Sequence, residues 1–450
     1  MAEILGKDKI IGMLHDALGF ATADETEISF GGSETSLTRF ANNYVHQNVK
    51  ETNTMLKVRS VIGQKVGTAT GNSLDNDSLK ALVAKAEQMA RFQVEDPHFK
   101  GLPGADYVSR TDLIEPDEAT YNADPELRAK AVGIICTKSH EKGLNASGAF
   151  KTEGYERVVV NSRGLSNYFR GASSDIVTVI MGESSSGYAT ALSPRVSEID
   201  GEAIAEEALE KTVRSLNPIT VEPGEYEVIL EEYATAIMLF YMGYLGMGAL
   251  SLQEGRSFMQ LGRQITHSNV NIYDDGYDTQ GIFSPFDTEG VTRQKVELIK
   301  NGVANAVVYD TYSAAKEPGK RSTGHSIGFQ GDLGAVPLNL VMAAGDSSKA
   351  EMLKNTKRGI WVTRFHYVNP LVPDKAVLTG MTRDGTFLIE NGEIVAPLKN
   401  FRFTHSAVEA LNEIESISQE RKLVNGDFFG AVLAPAIKVK RFTFNSGTEF

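Results

Sequence analysis

Between Thr26 and Thr70 lie four short runs, Glu27-Ile28-Ser29-Phe30, Ser36-Leu37-Thr38-Arg39-Phe40, Met55-Leu56-Lys57-Val58-Arg59-Ser60-Val61 and Gln64-Lys65-Val66-Gly67-Thr68-Ala69. Apolar and polar residues alternate in them, the period of a half-buried strand. Gly31-Gly32, Asn42-Asn43 and Ile62-Gly63 separate the runs, so the segment reads as an antiparallel meander. Its partner is written on both sides. Ile10, Ile11, Leu14, Ala17 and Leu18 recur at helical spacing before it, and Leu79, Leu82, Val83, Ala86, Met89 and Ala90 do so after it, behind Asp75 and Asp77 as N-caps. A helix-covered sheet is the predicted first unit, residues 1–110.

The same grammar recurs. A helix over Leu127–Ser139 precedes strands predicted at Ala146–Glu153, Arg157–Asn161, Leu165–Gly171 and Ser174–Ser184, and a helix capped by Asp200 runs over Gly201–Leu216. This middle unit, 111–222, is either separate or one composite domain with the first. The turn-rich stretch Phe92–Pro125 connects them. From 223 to 450 the chain reads as β-rich around one apolar helix over Tyr233–Leu250, with Asn301-Gly302, Asp384-Gly385 and Asn391-Gly392 as hairpin signals. Strands in antiparallel series rather than in βαβ alternation place the chain in the α+β class.

Composition narrows the function. The 450 residues carry 45 Lys and Arg against 58 Asp and Glu, a formal charge of −13, which disfavours direct nucleic-acid contact and an anionic membrane surface. The single Cys136 can form no internal disulfide, which fits a reducing, cytoplasmic setting. Charges within the first ten residues interrupt any secretory apolar core. The uncharged stretch Ala234–Leu250 falls short of a bilayer span of about 20 residues and is expected to be a buried helix.

Familiar chemistry is sparse. The eight histidines, His15, His46, His98, His140, His267, His325, His366 and His405, include no pair at the spacing of a helical zinc site, and each is read as a surface or hydrogen-bonded histidine. Ser313-Ala314-Ala315-Lys316 matches S-x-x-K but lacks its companion motifs, and is expected to be an exposed turn. Gly182-Glu183-Ser184-Ser185-Ser186-Gly187 is one residue too long for a nucleophile elbow and reads as a polar loop. Asp274-Asp275-Gly276-Tyr277-Asp278 misses the calcium-loop pattern and reads as a solvated turn. No Walker loop or G-x-G-x-x-G is present.

Several blocks in order do resemble one family. Leu37-Thr38-Arg39-Phe40-Ala41-Asn42-Asn43, Val160-Asn161-Ser162-Arg163-Gly164, Val221-Glu222-Pro223-Gly224-Glu225-Tyr226, Glu254-Gly255-Arg256-Ser257-Phe258, Ser284-Pro285-Phe286-Asp287 and Leu388-Ile389-Glu390-Asn391-Gly392 are similar to the TldD/PmbA family, named for modulation of DNA gyrase and related to metallopeptidases. The resemblance implies that TldD-type members carry H-E-x-x-x-H on the apolar helix and a metal-binding cysteine near the C-terminus. Here Tyr241, Met242 and Gly246 stand at those helix positions, and Asn425–Phe450 contains no cysteine. Methionine is no general base, glycine has no ligand atom, and a tyrosine titrates near pH 10.

The chain therefore resembles the PmbA branch, also called TldE. The resemblance implies a pseudoenzyme subunit without a cofactor of its own, in a dimer with a TldD-like partner that carries zinc and H-E-x-x-x-H, acting together on extended peptides in proteolysis; a homodimer in isolation is the other expected state. Asn161, Ser162, Arg256 and Ser257 lie in the matched blocks and are candidates for peptide backbone or subunit contact. Two other readings stand beside it: a stand-alone metal-dependent peptidase using scattered residues such as His325, His366, His405 and Glu390, and a regulatory binding protein of the gyrase-modulator kind.

Overall fold

The computed structural model describes residues 5–107, 115–328 and 333–448. The boundary expected at residues 110–111 lies outside them. In the N-terminal half, α1 (Lys7–Leu18) leads into β1 (Glu25–Ala41), β2 (Tyr44–Ile62), β3 (Lys65–Gly71) and α2 (Asn76–Phe92). The short α3 (Glu118–Tyr121) and α4 (Pro125–Glu141) then precede β4 (Asn145–Asn161), β5 (Ser166–Met181), β6 (Ser186–Ser193) and α5 (Gly201–Arg214). All six strands join one antiparallel sheet in the order β3-β2-β1-β4-β5-β6. That order is symmetric about the β1–β4 pair, so the repeated grammar of the sequence becomes two meanders laid edge to edge.

Residue parity explains the layers. Ile28, Phe30, Val158 and Val160 bury against α1 and α2, while Phe40, Phe150, Ile176 and Ile180 bury against α4 and α5. These even-numbered positions share one face of the sheet. The opposite face carries Val159 and Phe169, which pack on Phe286 from the C-terminal half. Two of the three predicted caps form: Asp75 accepts from the Ser78 amide, and Asp200 from those of Glu202 and Ala203, while Asp77 falls inside the first turn of α2 behind the Asp75 cap.

The structure corrects the strand boundaries. Gly31-Gly32 is no turn but the middle of β1, pairing with Met55 and Thr54 of β2 on one side and with Arg157 and Glu156 of β4 on the other. Pairing on both sides supplies the ladder hydrogen bonds that override glycine's weak strand preference. The strands expected as separate at Ala146–Glu153 and Arg157–Asn161 are likewise one, as are Leu165–Gly171 and Ser174–Ser184 up to Met181, and β6 was not foreseen. Asn42 and Asn43 both take positive φ, 53° and 61°, and turn β1 into β2.

The C-terminal half runs β7 (Gly224–Leu230), α6 (Glu232–Gly246), α7 (Ala249–Gln253), β8 (Ile272–Asp274), β9 (Val296–Lys300), β10 (Val303–Ala304), α8 (Thr311–Ala315), β11 (Asn339–Met342), α9 (Lys349–Lys354), β12 (Arg358–Val372), β13 (Val377–Glu390), β14 (Glu393–Pro397), β15 (Phe401–Ser406), α10 (Ala407–Asn412), β16 (Ile414–Asn425) and β17 (Ala431–Gly447). Strand β7 pairs with both β12 and β17, so β17-β15-β13-β12-β7 closes on itself. Two of the pairings, β7 with β12 and β11 with β17, are parallel.

Helix α6 packs on β12, β16 and β17. Every residue of it except Ile237 and Tyr244 is buried, as its almost wholly apolar sequence requires, and Glu232 at its start is ion-paired with Lys349 at 3.0 Å. It ends earlier than expected: Gly248 is extended, and a side chain there would lie 2.1 Å from the Ala335 carbonyl oxygen, so the helix breaks before α7. Among the described residues no helix is long and apolar enough to cross a membrane. Of the three hairpin signals, Asn301-Gly302 joins β9 to β10 and Asn391-Gly392 joins β13 to β14. Asp384-Gly385 instead lies within β13, where the register with β12 shifts between Val362–Thr386 and Arg364–Arg383, a β-bulge opposite Thr363.

Candidate functional site

Tyr241, Met242 and Gly246 occupy the buried middle and end of α6. The Tyr241 hydroxyl lies 2.7 Å from the Val368 carbonyl oxygen of β12 and 2.9 Å from Asp427 Oδ2 in the loop between β16 and β17. Burial and the Asp427 charge push that hydroxyl well above its ordinary pKa. Burial likewise raises Asp427, with the Tyr241 contact and His366 pulling the other way. Met242 is fully buried in the main apolar cluster. Gly246 sits under Phe258, whose ring would lie 2.4 Å from any added Cβ, and its carbonyl accepts from Ser257 Oγ at 2.5 Å.

A zinc ion does not fit these three residues. The phenol is protonated and engaged, the thioether is sealed in hydrocarbon, and Gly246 has neither a donor nor room for one. Among the described residues, no three of His, Cys, Asp and Glu stand together so as to hold a metal ion. His325, His366, His405 and Glu390 do not converge: His405 lies tilted against Phe442 with ring centres 4.5 Å apart, and Glu390 ends β13.

An open cleft of about 940 Å³ lies between the Gly182–Ser186 turn, the segment after α5, and β12–β13. The bulge puts Asp384 into its wall, where its carboxylate accepts from Arg364 Nε at 2.7 Å and from Ser186 Oγ at 2.6 Å. Arg364 also lies 4.3 Å over the Tyr188 ring. Arg383, Lys399 and His366 also line it. Burial lowers the His366 pKa, Arg364 and Arg383 lower it further, and Asp384 and Asp427 oppose them. Sequence reasoning missed this grouping, although Asp384-Gly385 and the serine turn were each visible as irregularities.

Two further polar clusters join the halves of the molecule. Arg59 on β2 reaches Glu27 of β1 at 2.9 Å and Glu289 at 3.0 Å. Glu289 in turn accepts from the Thr311 amide and hydroxyl. Lys211 of α5 meets Glu231 at 2.7 Å and Glu207 at 2.8 Å, while Lys422 of β16 meets Glu207 at 2.6 Å.

Asp274, expected in a solvated turn, is fully buried, with Oδ1 2.9 Å from His325 Nε2, and His325 Nδ1 lies 2.9 Å from Thr323 Oγ1. Hydroxyl, imidazole and carboxylate thus line up, but His325 is 0% exposed and sealed from solvent. Burial holds the His325 pKa below the usual value against the pull of Asp274, beside which Arg293 also lies at 3.6 Å. Ser313, expected on an exposed turn, is buried inside α8, where it and Asp310 form a capping box.

The four candidates from the matched blocks sit in two adjacent pairs, Asn161 and Ser162 at the end of β4 and Arg256 and Ser257 after α7. Asn161 donates to the Pro103 carbonyl and accepts from the Arg163 and Leu165 amides, and Ser162 Oγ accepts from the Thr26 amide. Ser257 Oγ accepts from the Met259 amide, and Arg256 pairs with neighbouring Glu254. All four satisfy local backbone or neighbouring charge.

Known proteins share this architecture. The PmbA/TldA metallopeptidase C-terminal domain matches residues 223–446 and the PmbA/TldA metallopeptidase domain 1 matches residues 26–90. Metalloprotease PmbA of Escherichia coli O157:H7 is 24% identical over 386 residues, 83% of this chain and 82% of that one. A zinc metalloprotease TldD homolog of Saccharolobus solfataricus is 26% identical over 224 residues, 48% of this chain and 49% of that one. The crystal structure of TldE from Thermococcus kodakarensis superposes with a TM-score of 0.87 at 21% identity, covering 97% of this chain and 99% of that one.

Proposed function

From the premise that the chain belongs to the PmbA/TldD metallopeptidase family, we propose that it is a subunit without peptidase chemistry of its own, pairing with a TldD-type chain that supplies zinc and holding extended peptide for it. The observation that carries this reading is the occupation of the α6 positions by an engaged Tyr241, a sealed Met242 and a Gly246 roofed by Phe258. Hydrolysis at zinc needs three protein ligands, an open coordination position and a base within reach of the attacking water. This helix offers none of them. It does offer rigidity, because a helix buried on nearly every side holds the strands around it in fixed register. The β-rich half has the strand edges on which an extended peptide is commonly held.

The test is co-expression of this chain with the TldD-type chain of the same source, with mass by light scattering, zinc content by mass spectrometry and turnover of an unstructured peptide. The expected result is a heterodimer in which cleavage requires both chains and zinc follows the partner. Stoichiometric zinc on the lone chain together with peptide turnover would overturn the reading.

A further inference from the structure

We propose that the cleft between the serine turn and β12–β13 binds a peptide through a carboxylate, either the C-terminus or an acidic side chain. This deepens the peptide-holding reading and rests on it. The polar groups left without partners at this cleft are what point to a ligand. Ser185 Oγ, Ser215 Oγ and His366 Nδ1 are buried and make no hydrogen bond among the described residues, and all three residues line the cleft. Buried polar atoms are normally satisfied, so three unpartnered ones in the residues around one cavity stand ready to gain hydrogen bonds by a side-chain rotation toward a guest.

Each of these groups can donate: two hydroxyls, and an imidazole whose tautomer is free to place its proton on Nδ1. Two cations join them. Arg383 has a side chain 44% exposed with only a 4.0 Å contact to Asp384, and Lys399 is exposed with no ion pair among the described residues. Asp384 does not cancel them, because Arg364 and Ser186 already occupy it. The one other acid at the cleft, Glu183, lies exposed on the turn. A site built of donors wants an acceptor-only ligand, and a carboxylate is one.

Size and surroundings favour a peptide over a small anion. A cleft of about 940 Å³ far exceeds a phosphate. Met181 in its lining is exposed, and exposed Leu216 and Ile219 flank the lining residues Ser215, Asn217 and Pro218. Such a border suits the apolar side chains of an unfolded segment better than a hydrated ion.

The experiment is fluorescence anisotropy on the full chain with one labelled apolar octapeptide in three forms: free C-terminus, amidated C-terminus, and amidated with one internal Glu. Inorganic phosphate serves as competitor. Expected is at least ten-fold tighter binding of one or both carboxylate forms, the two arms telling a C-terminal from a side-chain carboxylate. The preference should vanish in R383Q/K399Q, whose substituted side chains are exposed enough to leave the melting temperature unchanged. Equal binding of all three forms, no binding of any, an undiminished preference in the variant, or displacement by micromolar phosphate would each overturn the proposal. Light scattering of the parent with the TldD-type chain separates the two readings: a parent that pairs but shows no carboxylate preference sinks this inference alone, whereas a parent that fails to pair sinks the subunit reading.

Discussion

Tyr241 on α6 and Asp427 on the β16–β17 loop, 186 residues apart in sequence, meet with oxygens 2.9 Å apart. The same hydroxyl lies 2.7 Å from the Val368 carbonyl. A phenol has one proton, and both the Val368 carbonyl and the Asp427 carboxylate lie in position to accept it. Burial raises the Asp427 pKa, while the Tyr241 hydroxyl and His366 pull it down. The helix position is thus tied to the loop through one shared hydroxyl.

A pH dependence follows from the raised Asp427. The folded chain holds this proton more tightly than the unfolded one, so the contribution of Asp427 is full below its ordinary 3.8 and is lost as pH rises through the folded value. Asp427→Asn mimics the protonated form. Its melting temperature should equal or exceed that of the parent at pH 7, with the gap closing below about pH 4; a variant markedly less stable at pH 7 would contradict the raised pKa.

Restoring the metal motif on this helix should fail. In Y241H/M242E/G246H the new glutamate enters an apolar core and the second histidine collides with Phe258. Overpacking alone costs about 1–3 kcal/mol and an unpaired buried carboxylate several more. Calorimetry should show a large loss of melting temperature, and metal analysis no stoichiometric zinc.

The Arg59 bridge is expected to carry the junction of the two halves. Arg59→Met leaves Glu27 and Glu289 buried without their cation, which should lower stability by about 3–5 kcal/mol in urea unfolding. Adding Glu27→Gln and Glu289→Gln should recover most of that loss. If Arg59→Met alone is neutral, the contact contributes nothing to the junction.

Acid should weaken the second junction cluster. Burial works against the charged Glu207, but Lys211 and Lys422 outweigh it and hold the carboxyl down at about 2. A depressed folded pKa means stability that is present above the ordinary 4.5 and is lost as pH falls toward 2. Melting curves of the parent should therefore drop between those limits more steeply than those of Glu207→Gln, by on the order of 2 kcal/mol after screening.

Much of the architecture was legible locally. The period-two runs, the caps at Asp75 and Asp200, the Asn-Gly turns and the apolar helix are encoded within a few residues of where they act, and they formed. The errors came where pairing outweighs local preference: Gly31-Gly32 stays in a strand because neighbours on both sides supply its hydrogen bonds, and Asp384-Gly385 bends β13 rather than reversing it because β12 continues opposite.

Residue types alone decide that Met242 supplies no base and Gly246 no ligand atom, since no fold can give methionine a proton affinity or glycine a donor atom. Where the remaining polar groups go is a matter of three-dimensional packing. Asp274 was expected in water and is sealed in a core with His325, while Arg364, Arg383, Lys399 and the serine turn, scattered over some two hundred residues, share one cleft. The reason is range: helix caps and strand alternation are neighbour effects, whereas burial and charge pairing depend on contacts between segments that no local pattern records.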